Sequence, residues 1–167
     1  LNKSEYLNMQ IKSNFKKYIA VYMVEKSDLL DELLQKLKMK YGYETVQIGA
    51  FINRSKSDNM IKGTSPTEFL GLLANAEFIV ASSFHATVFA HIFEKDFAII
   101  PPHRNSARIE QFLDITGLKH HIVNRSMDIE NAIKKIDYKE VNQKLNPFVQ
   151  ESKTVLLNKL GSYDKKK

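Results

Sequence analysis

Short unbroken apolar runs alternate along the chain with apolar residues spaced for helices. Residues 4–15 read as a short polar helix, with Tyr6, Leu7 and Ile11 as a weak inner face. Tyr18-Ile19-Ala20-Val21-Tyr22-Met23-Val24 is continuous and rich in β-branched residues, which predicts a strand buried on both faces. Ser27 then begins a helix, with Asp28, Asp31 and Glu32 where the dipole favours acids. Leu29, Leu30, Leu33, Leu34 and Leu37 form its inner stripe, and Gly42 stops it. A second strand is expected over residues 45–50. Residues 53–64 are polar and read as a loop, with at most a short strand at 60–62.

Ser65-Pro66-Thr67-Glu68 is a helix start: a cap, a proline at the first position, and a glutamate where a capping box needs it. Phe69, Leu70, Leu72, Leu73 and Ala76 supply that helix's buried side. Residues 78–81 read as a third strand, 84–93 as a helix, and 97–100 as a fourth strand closed by Pro101-Pro102. A helix at 106–116 ends at Gly117, and 120–123 reads as a last strand. Helices at 127–136 and 138–160 follow, with Pro147 expected to kink or split the second.

This alternation predicts an α/β fold: a Rossmann-like parallel sheet with helices on both faces. Residues 1–17 read as a linker helix, 18–137 as the domain, and 138–167 as a terminal helix with a basic tail. The start at Leu1 suggests a piece of something longer.

Composition narrows the chemistry. With 43% hydrophobic and 26% charged residues among 167, the chain reads as one globular domain. Cysteine is absent, which excludes a disulfide scaffold, cysteine–zinc sites, iron–sulfur clusters and a cysteine nucleophile. The longest apolar stretch, 69–80, is interrupted by Asn75 and Glu77 and falls short of the roughly 18 residues of a membrane span. Net charge is +6, with three lysines in the last three positions. That tail reads either as a solvated end or as a contact for an anionic partner. Basic–aromatic recognition patterns are lacking, so nucleic acid is not expected. Nor is a metal, because the five histidines have no ligand spacing.

In an open α/β sheet, ligands lie beyond the carboxyl ends of the strands. The turn that draws attention is Val80-Ala81-Ser82-Ser83-Phe84-His85-Ala86-Thr87. A strand runs into two serines and then a helix, whose first N–H groups have no intrahelical acceptor and suit a phosphate or carboxylate. His85 falls in that first turn. A helix N-terminus opposes an added positive charge, while a bound dianion favours the imidazolium, so His85 reads as an anion ligand and proton donor. A neutral histidine bonded to backbone is the alternative. Arg104 and Arg108 flank the start of a later helix, and arginine forks match carboxylate and phosphate geometry. Among the other histidines, His91 lies on a different face from His85, and His120 and His121 point opposite ways.

The residues in this order resemble the polysaccharide pyruvyl transferases. Pro66-Thr67-Glu68-Phe69-Leu70, Asn75-Ala76, the strand at 78–81, and Ser83-Phe84-His85-Ala86-Thr87-Val88-Phe89-Ala90 follow that family's pattern. So do Ser106-Ala107-Arg108-Ile109, Gly117-Leu118 and the opening Leu1-Asn2-Lys3-Ser4-Glu5-Tyr6. The resemblance covers most of residues 1–125. It implies the C-terminal, donor-binding domain of a GT-B-like pair, with the strand starting near Phe78 beside the one starting near Tyr18, at the switch in strand order. It also implies transfer of a pyruvyl group from phosphoenolpyruvate to a sugar as a ketal, with no separate cofactor. His85 becomes the expected catalytic residue. Ser82, Ser83, Phe84, Ala86, Thr87 and Arg108 become donor contacts, and the saccharide acceptor belongs to a facing N-terminal domain. Two departures stand out: Ala86 replaces the usual glycine, and Ala90 a frequent serine. His121 also stands near a position where many members carry arginine. A sugar-nucleotide glycosyltransferase and a non-catalytic anion-binding module remain alternatives. A cytoplasmic location is expected, with peripheral contact at the inner membrane face through the basic tail.

Overall fold

The computed structural model describes residues 3–11, 13–49 and 56–164. The elements run α1 (Lys3–Met9), β1 (Tyr18–Tyr22), α2 (Leu29–Tyr41), β2 (Glu44–Ile48), β3 (Asn59–Ile61), α3 (Pro66–Ala74), β4 (Phe78–Ala81) and α4 (Phe84–Ile92). Then come β5 (Asp96–Ile99), α5 (Ala107–Ile115), two 3-10 turns (Lys119–His121 and Ser126–Asp128), α6 (Ile129–Ala132) and α7 (Tyr138–Asp164). All five strands are parallel in the order β3-β2-β1-β4-β5. The Rossmann-like sheet read from the sequence is therefore present. The order reverses between β1 and β4, where Ile19 faces Phe78 and Tyr22 faces Ala81.

Burial on both sides explains the unbroken apolar strands. On one face Ala20, Val46, Ile79 and Phe97 join α3, α4, α5 and the root of α7. On the other, Ile19, Val21, Phe78 and Val80 pack against α2 and α6 through Leu30, Leu33, Leu37 and Ile129. Tyr18 is wholly buried, and its hydroxyl donates to Leu72 O at 2.7 Å, so the polar tip is satisfied inside the core.

The helix signals act as the residues suggest. Ser65 Oγ accepts from Glu68 N–H at 3.3 Å, while Glu68 Oε2 accepts from Ser65 N–H at 2.7 Å. Ser65→Ala removes the cap at one end of α3 and is expected to cost about 1 kcal/mol in urea unfolding. A loss under about 0.3 kcal/mol would show that Pro66 and Glu68 alone set the start. Gly42 closes α2 in the left-handed region (φ 67°), its N–H bonded to Lys38 O at 2.8 Å.

Several expectations change. The helix expected over residues 4–15 spans only Lys3–Met9. The strand expected at 120–123 is instead a 3-10 turn, with a lone parallel bridge from Ile122 to Ile99. Gly117 and Leu118 turn the chain back so tightly that it meets β5 at one residue. The 127–136 helix shrinks to Ile129–Ala132. Pro147 does not split α7, which runs unbroken through it. Asp28 occupies the cap position of α2, although Ser27 Oγ still accepts from Leu29 N–H at 3.3 Å. The polar stretch expected from residue 53, Arg54 included, begins outside the described residues, as does the tail 165–167.

Candidate functional site

The carboxyl ends of β1, β4 and β5 form one rim, and β4 runs through Ser82 and Ser83 into α4. Ser83 caps this helix in extended conformation (φ −113°, ψ 136°) without a side-chain bond of its own. The first bond of α4 joins Thr87 N–H to Ser83 O at 3.0 Å, so the N–H groups of Phe84 and His85 precede the intrahelical ladder. His85 is exposed, and its ring has no hydrogen-bond partner among the described residues. Phe84 packs edge-on against Phe112 of α5 at 6.0 Å, and the Arg108 guanidinium lies 5.2 Å from its ring centre. Phe84 thus links the starts of α4 and α5, with Arg108 over its ring and His85 6.3 Å from it, centre to centre.

Three other expected contacts have different surroundings. Ser82 is 2% exposed, and its hydroxyl accepts from Val24 N–H at 2.6 Å, which ties the end of β1 to that of β4. Ala86 is fully enclosed in the core, so its methyl does not project toward the rim. Thr87 is equally buried and donates its hydroxyl to Ser83 O at 2.9 Å. Helical geometry accounts for this: residues 86, 87 and 90 fall on the inward face when 85 points out. Burial makes these side chains supports of the helix start, not surfaces a ligand can reach.

A crevice of about 440 Å³ opens beside Ser82, on the α2 side of the rim. Its walls include Glu25, Ser27, Asp28, Pro102, His103 and Asn124. His103 N–H donates to Glu25 Oε2 at 2.9 Å, joining the β1–α2 turn to the loop after β5. None of these residues was singled out from sequence as a site residue. The signal was present, since Glu25-Lys26-Ser27-Asp28 is a polar turn at the same sheet end, but the serine pair after β4 drew the reading instead. Two carboxylates in its wall suit this crevice to hydroxyl groups better than to phosphate, whereas the α4 start with His85 and Arg108 suits an anion. In a second hollow of about 450 Å³, lined by Glu110, Lys119, Arg125 and Asp128, the cations are balanced by acids. There Lys119 pairs with Asp114 at 2.8 Å and Arg125 with Asp128 at 3.5 Å.

His91 and His121 are core residues, 6% and 0% exposed. His91 Nδ1 lies 2.9 Å from Thr87 O, and His121 Nδ1 lies 2.9 Å from both Phe97 O and Ala132 O. Carbonyls only accept, so each Nδ1 carries the hydrogen, and each Nε2 is a buried acceptor without a partner. Burial pushes both histidines down to about 4, so they are neutral near pH 7. Among the described residues, no group of three or more histidine, aspartate or glutamate side chains could hold a metal ion. No described helix is long and apolar enough to cross a membrane.

A model of the polysaccharide pyruvyl transferase family matches residues 2–104. No protein of curated function matches the chain. Among solved structures, the UDP-GlcNAc 2-epimerase from Neisseria meningitidis bound to UDP-GlcNAc is similar at 11% identity and a TM-score of 0.39. That match covers 90% of this chain and 49% of the epimerase, so the chain spans about half the length of that structure.

Proposed function

Because this chain belongs to the polysaccharide pyruvyl transferase family, we propose that it is the donor-binding half of a pyruvyl transferase-like enzyme. The donor is phosphoenolpyruvate and the product a pyruvyl ketal on a saccharide. The observation that carries this reading is the exposed His85 on the first turn of α4, past the carboxyl end of β4, next to Phe84, whose ring Arg108 covers. Phosphate or carboxylate oxygens of the donor would accept from the N–H groups of Phe84 and His85, from Ser83 Oγ and from the Arg108 fork.

In the proposed reaction His85 delivers a proton to the methylene carbon, which becomes the methyl group. One acceptor hydroxyl bonds to the central carbon and loses its proton. Phosphate then leaves with its bridging oxygen, and a second hydroxyl closes the ketal and releases another proton. The same imidazolium can instead protonate the departing phosphate. Ser82, Ala86 and Thr87 enter this scheme by fixing the helix start. Ala86, enclosed in the core, keeps its methyl away from an anion held at the helix start. The saccharide is proposed to come from a facing domain, because aligning donor and acceptor needs both walls of a cleft. The isolated chain is accordingly expected to bind donor without transferring it.

Calorimetric titration with phosphoenolpyruvate, inorganic phosphate and a uridine diphosphate sugar tests the reading. His85→Ala is expected to weaken phosphoenolpyruvate binding by about 1.5–3 kcal/mol, the worth of a charge-assisted hydrogen bond. His85→Gln retains a donor and part of the affinity, and Arg108→Ala loses a similar amount. Unchanged affinity in all three variants would remove the α4 start from the site. Preference for the nucleotide sugar would favour glycosyl transfer, and binding of phosphate alone would favour a non-catalytic module.

A further inference from the structure

The crevice beside Ser82 has a different chemistry from the start of α4. It opens at the carboxyl ends of β1, β4 and β5, the side on which open α/β sheets hold ligands. At about 440 Å³ it falls within the range of about 300–1,000 Å³ usual for small-molecule sites. Glu25 and Asp28 outnumber Lys26 in its wall, and no arginine lines it. A phosphate there would meet like charge, whereas neutral hydroxyl groups would not.

The wall offers hydrogen-bond donors and acceptors side by side. Ser82 is 2% exposed, its oxygen accepts from Val24 N–H, and its own hydrogen has no acceptor among the described residues. A buried donor is costly to leave unmade, so this hydroxyl suits an oxygen placed in the crevice. Ser27 is arranged alike: its oxygen accepts from Leu29 N–H, and its hydrogen has no acceptor among the described residues. The acceptors are carboxylates. Glu25 uses Oε2 for His103 N–H and keeps Oε1, and Asp28 makes no side-chain bond to the helix it caps. Asn124 adds an exposed amide. Pro101 and Pro102 line the same space with rings that carry no N–H. A sugar ring matches this set, because each hydroxyl both donates and accepts while the C–H face is apolar.

We propose that this crevice binds a neutral sugar ring through neighbouring hydroxyls. Glu25 and Asp28 accept from them, Ser27 and Ser82 donate to them, and the C–H face lies on the proline pair. Ser82 directly precedes Ser83, the cap of α4, so a ring held here adjoins the anion contacts at that helix start. This placement makes the ring the reacting end of the acceptor saccharide, an assignment that rests on the function proposed above. The facing domain would present the rest of the saccharide. The ribose of a nucleotide offers the same neighbouring hydroxyls and is the other source.

The test is heteronuclear NMR of the full chain titrated with methyl β-galactoside, methyl β-glucoside and methyl α-mannoside, with uridine and phosphoenolpyruvate in parallel. At least one glycoside is expected to shift the backbone amides of Glu25, Ser27, Ser82 and Asn124, and to bind more tightly than uridine. Glu25→Gln combined with Asp28→Asn keeps the shape of the wall and removes both charges. It is expected to weaken glycoside binding by about tenfold or more and to leave phosphoenolpyruvate binding intact. An unaltered urea midpoint checks its fold, and Asn124→Ala, at an exposed side chain, is a second variant expected to weaken glycoside binding by about threefold. His85→Ala should do the reverse, weakening phosphoenolpyruvate and sparing the glycoside, so failure of the donor site and failure of the crevice are separately visible. No shift of the crevice amides with any glycoside would overturn the proposal, and so would equal glycoside binding by the double variant and Asn124→Ala. Uridine bound in the crevice in preference to every glycoside would overturn the saccharide in favour of a nucleotide.

Discussion

Taking the protein from pH 7 to pH 5 is expected to remove about 4 kcal/mol of stability, well before most carboxylates titrate. The cause is the buried histidine pair. His91 and His121 each fall from 6.5 to about 4, mainly through burial. Their partnered nitrogens already donate, so a proton must go to an Nε2 that no protein group can accept from. The unfolded chain takes up protons as pH falls through 6.5, while the folded chain resists until about 4. Stability is thus fully present above 6.5 and is lost between 6.5 and 4, at about 2 kcal/mol for each histidine by pH 5. Against a typical total of about 5–15 kcal/mol this is a large share. Urea midpoints measured every half unit from pH 8 to 5 check it. His91→Gln or His121→Gln should each remove about half of the slope, whatever the variant costs at pH 8. A flat wild-type profile down to pH 5 would mean that both rings find partners in solution.

Gly71→Ala is expected to cost about 2–3 kcal/mol, although alanine is the better helix former by about 1 kcal/mol. A β-carbon at Gly71 would lie 1.7 Å from Ile11 O and 2.8 Å from Ile11 C, both backbone atoms that no rotamer change can move. The segment after α1 docks on α3 there. Ile11 N–H donates to Thr67 O at 3.1 Å, and Asn75 Nδ2 donates to Gln10 Oε1 at 2.8 Å. A methyl group would push the segment away and break those bonds. Thermal unfolding of the variant, with hydrogen exchange at Ile11, provides the measurement. Stability within about 0.5 kcal/mol of the wild type would mean the segment can retreat without loss.

The four main strands were legible because burial on both faces demands apolar runs, and no other short element does. The α3 start was legible because its cap is local: Ser65 and Glu68 satisfy each other across three residues. The position of β4 at the reversal of strand order followed from the family pattern, and Ile19 pairing with Phe78 bears it out. The turn at 119–121 was not legible. His120-His121-Ile122-Val123 has strand composition, but the tight exit from α5 leaves room for one bridge only. At the rim, sequence named His85, which is exposed on the first turn of α4, and Arg108, which lies over the Phe84 ring. It could not separate Ser83 from Ser82, because which hydroxyl faces inward depends on where β1 ends. The crevice wall was missed for a related reason: Glu25, His103 and Asn124 come together from turns that no local pattern connects.

The place of β1 in the sheet bears on the order in which this chain can fold. It is the first strand in the sequence and the centre of the sheet, flanked by β2 and β4. As the polypeptide leaves the ribosome, β2 arrives about two dozen residues after β1, but β4 begins only at Phe78. During that interval one edge of β1 lacks a neighbour, and Tyr18 and Ala20, on the face covered by α3 and α4, lack most of their cover. Synthesis at about 5–20 residues per second makes this a gap of seconds. Chaperone binding and misassembly would concentrate there. Ribosome-stalled chains that stop before β4 should remain protease-sensitive at residues 18–22, and those extending past β5 should not.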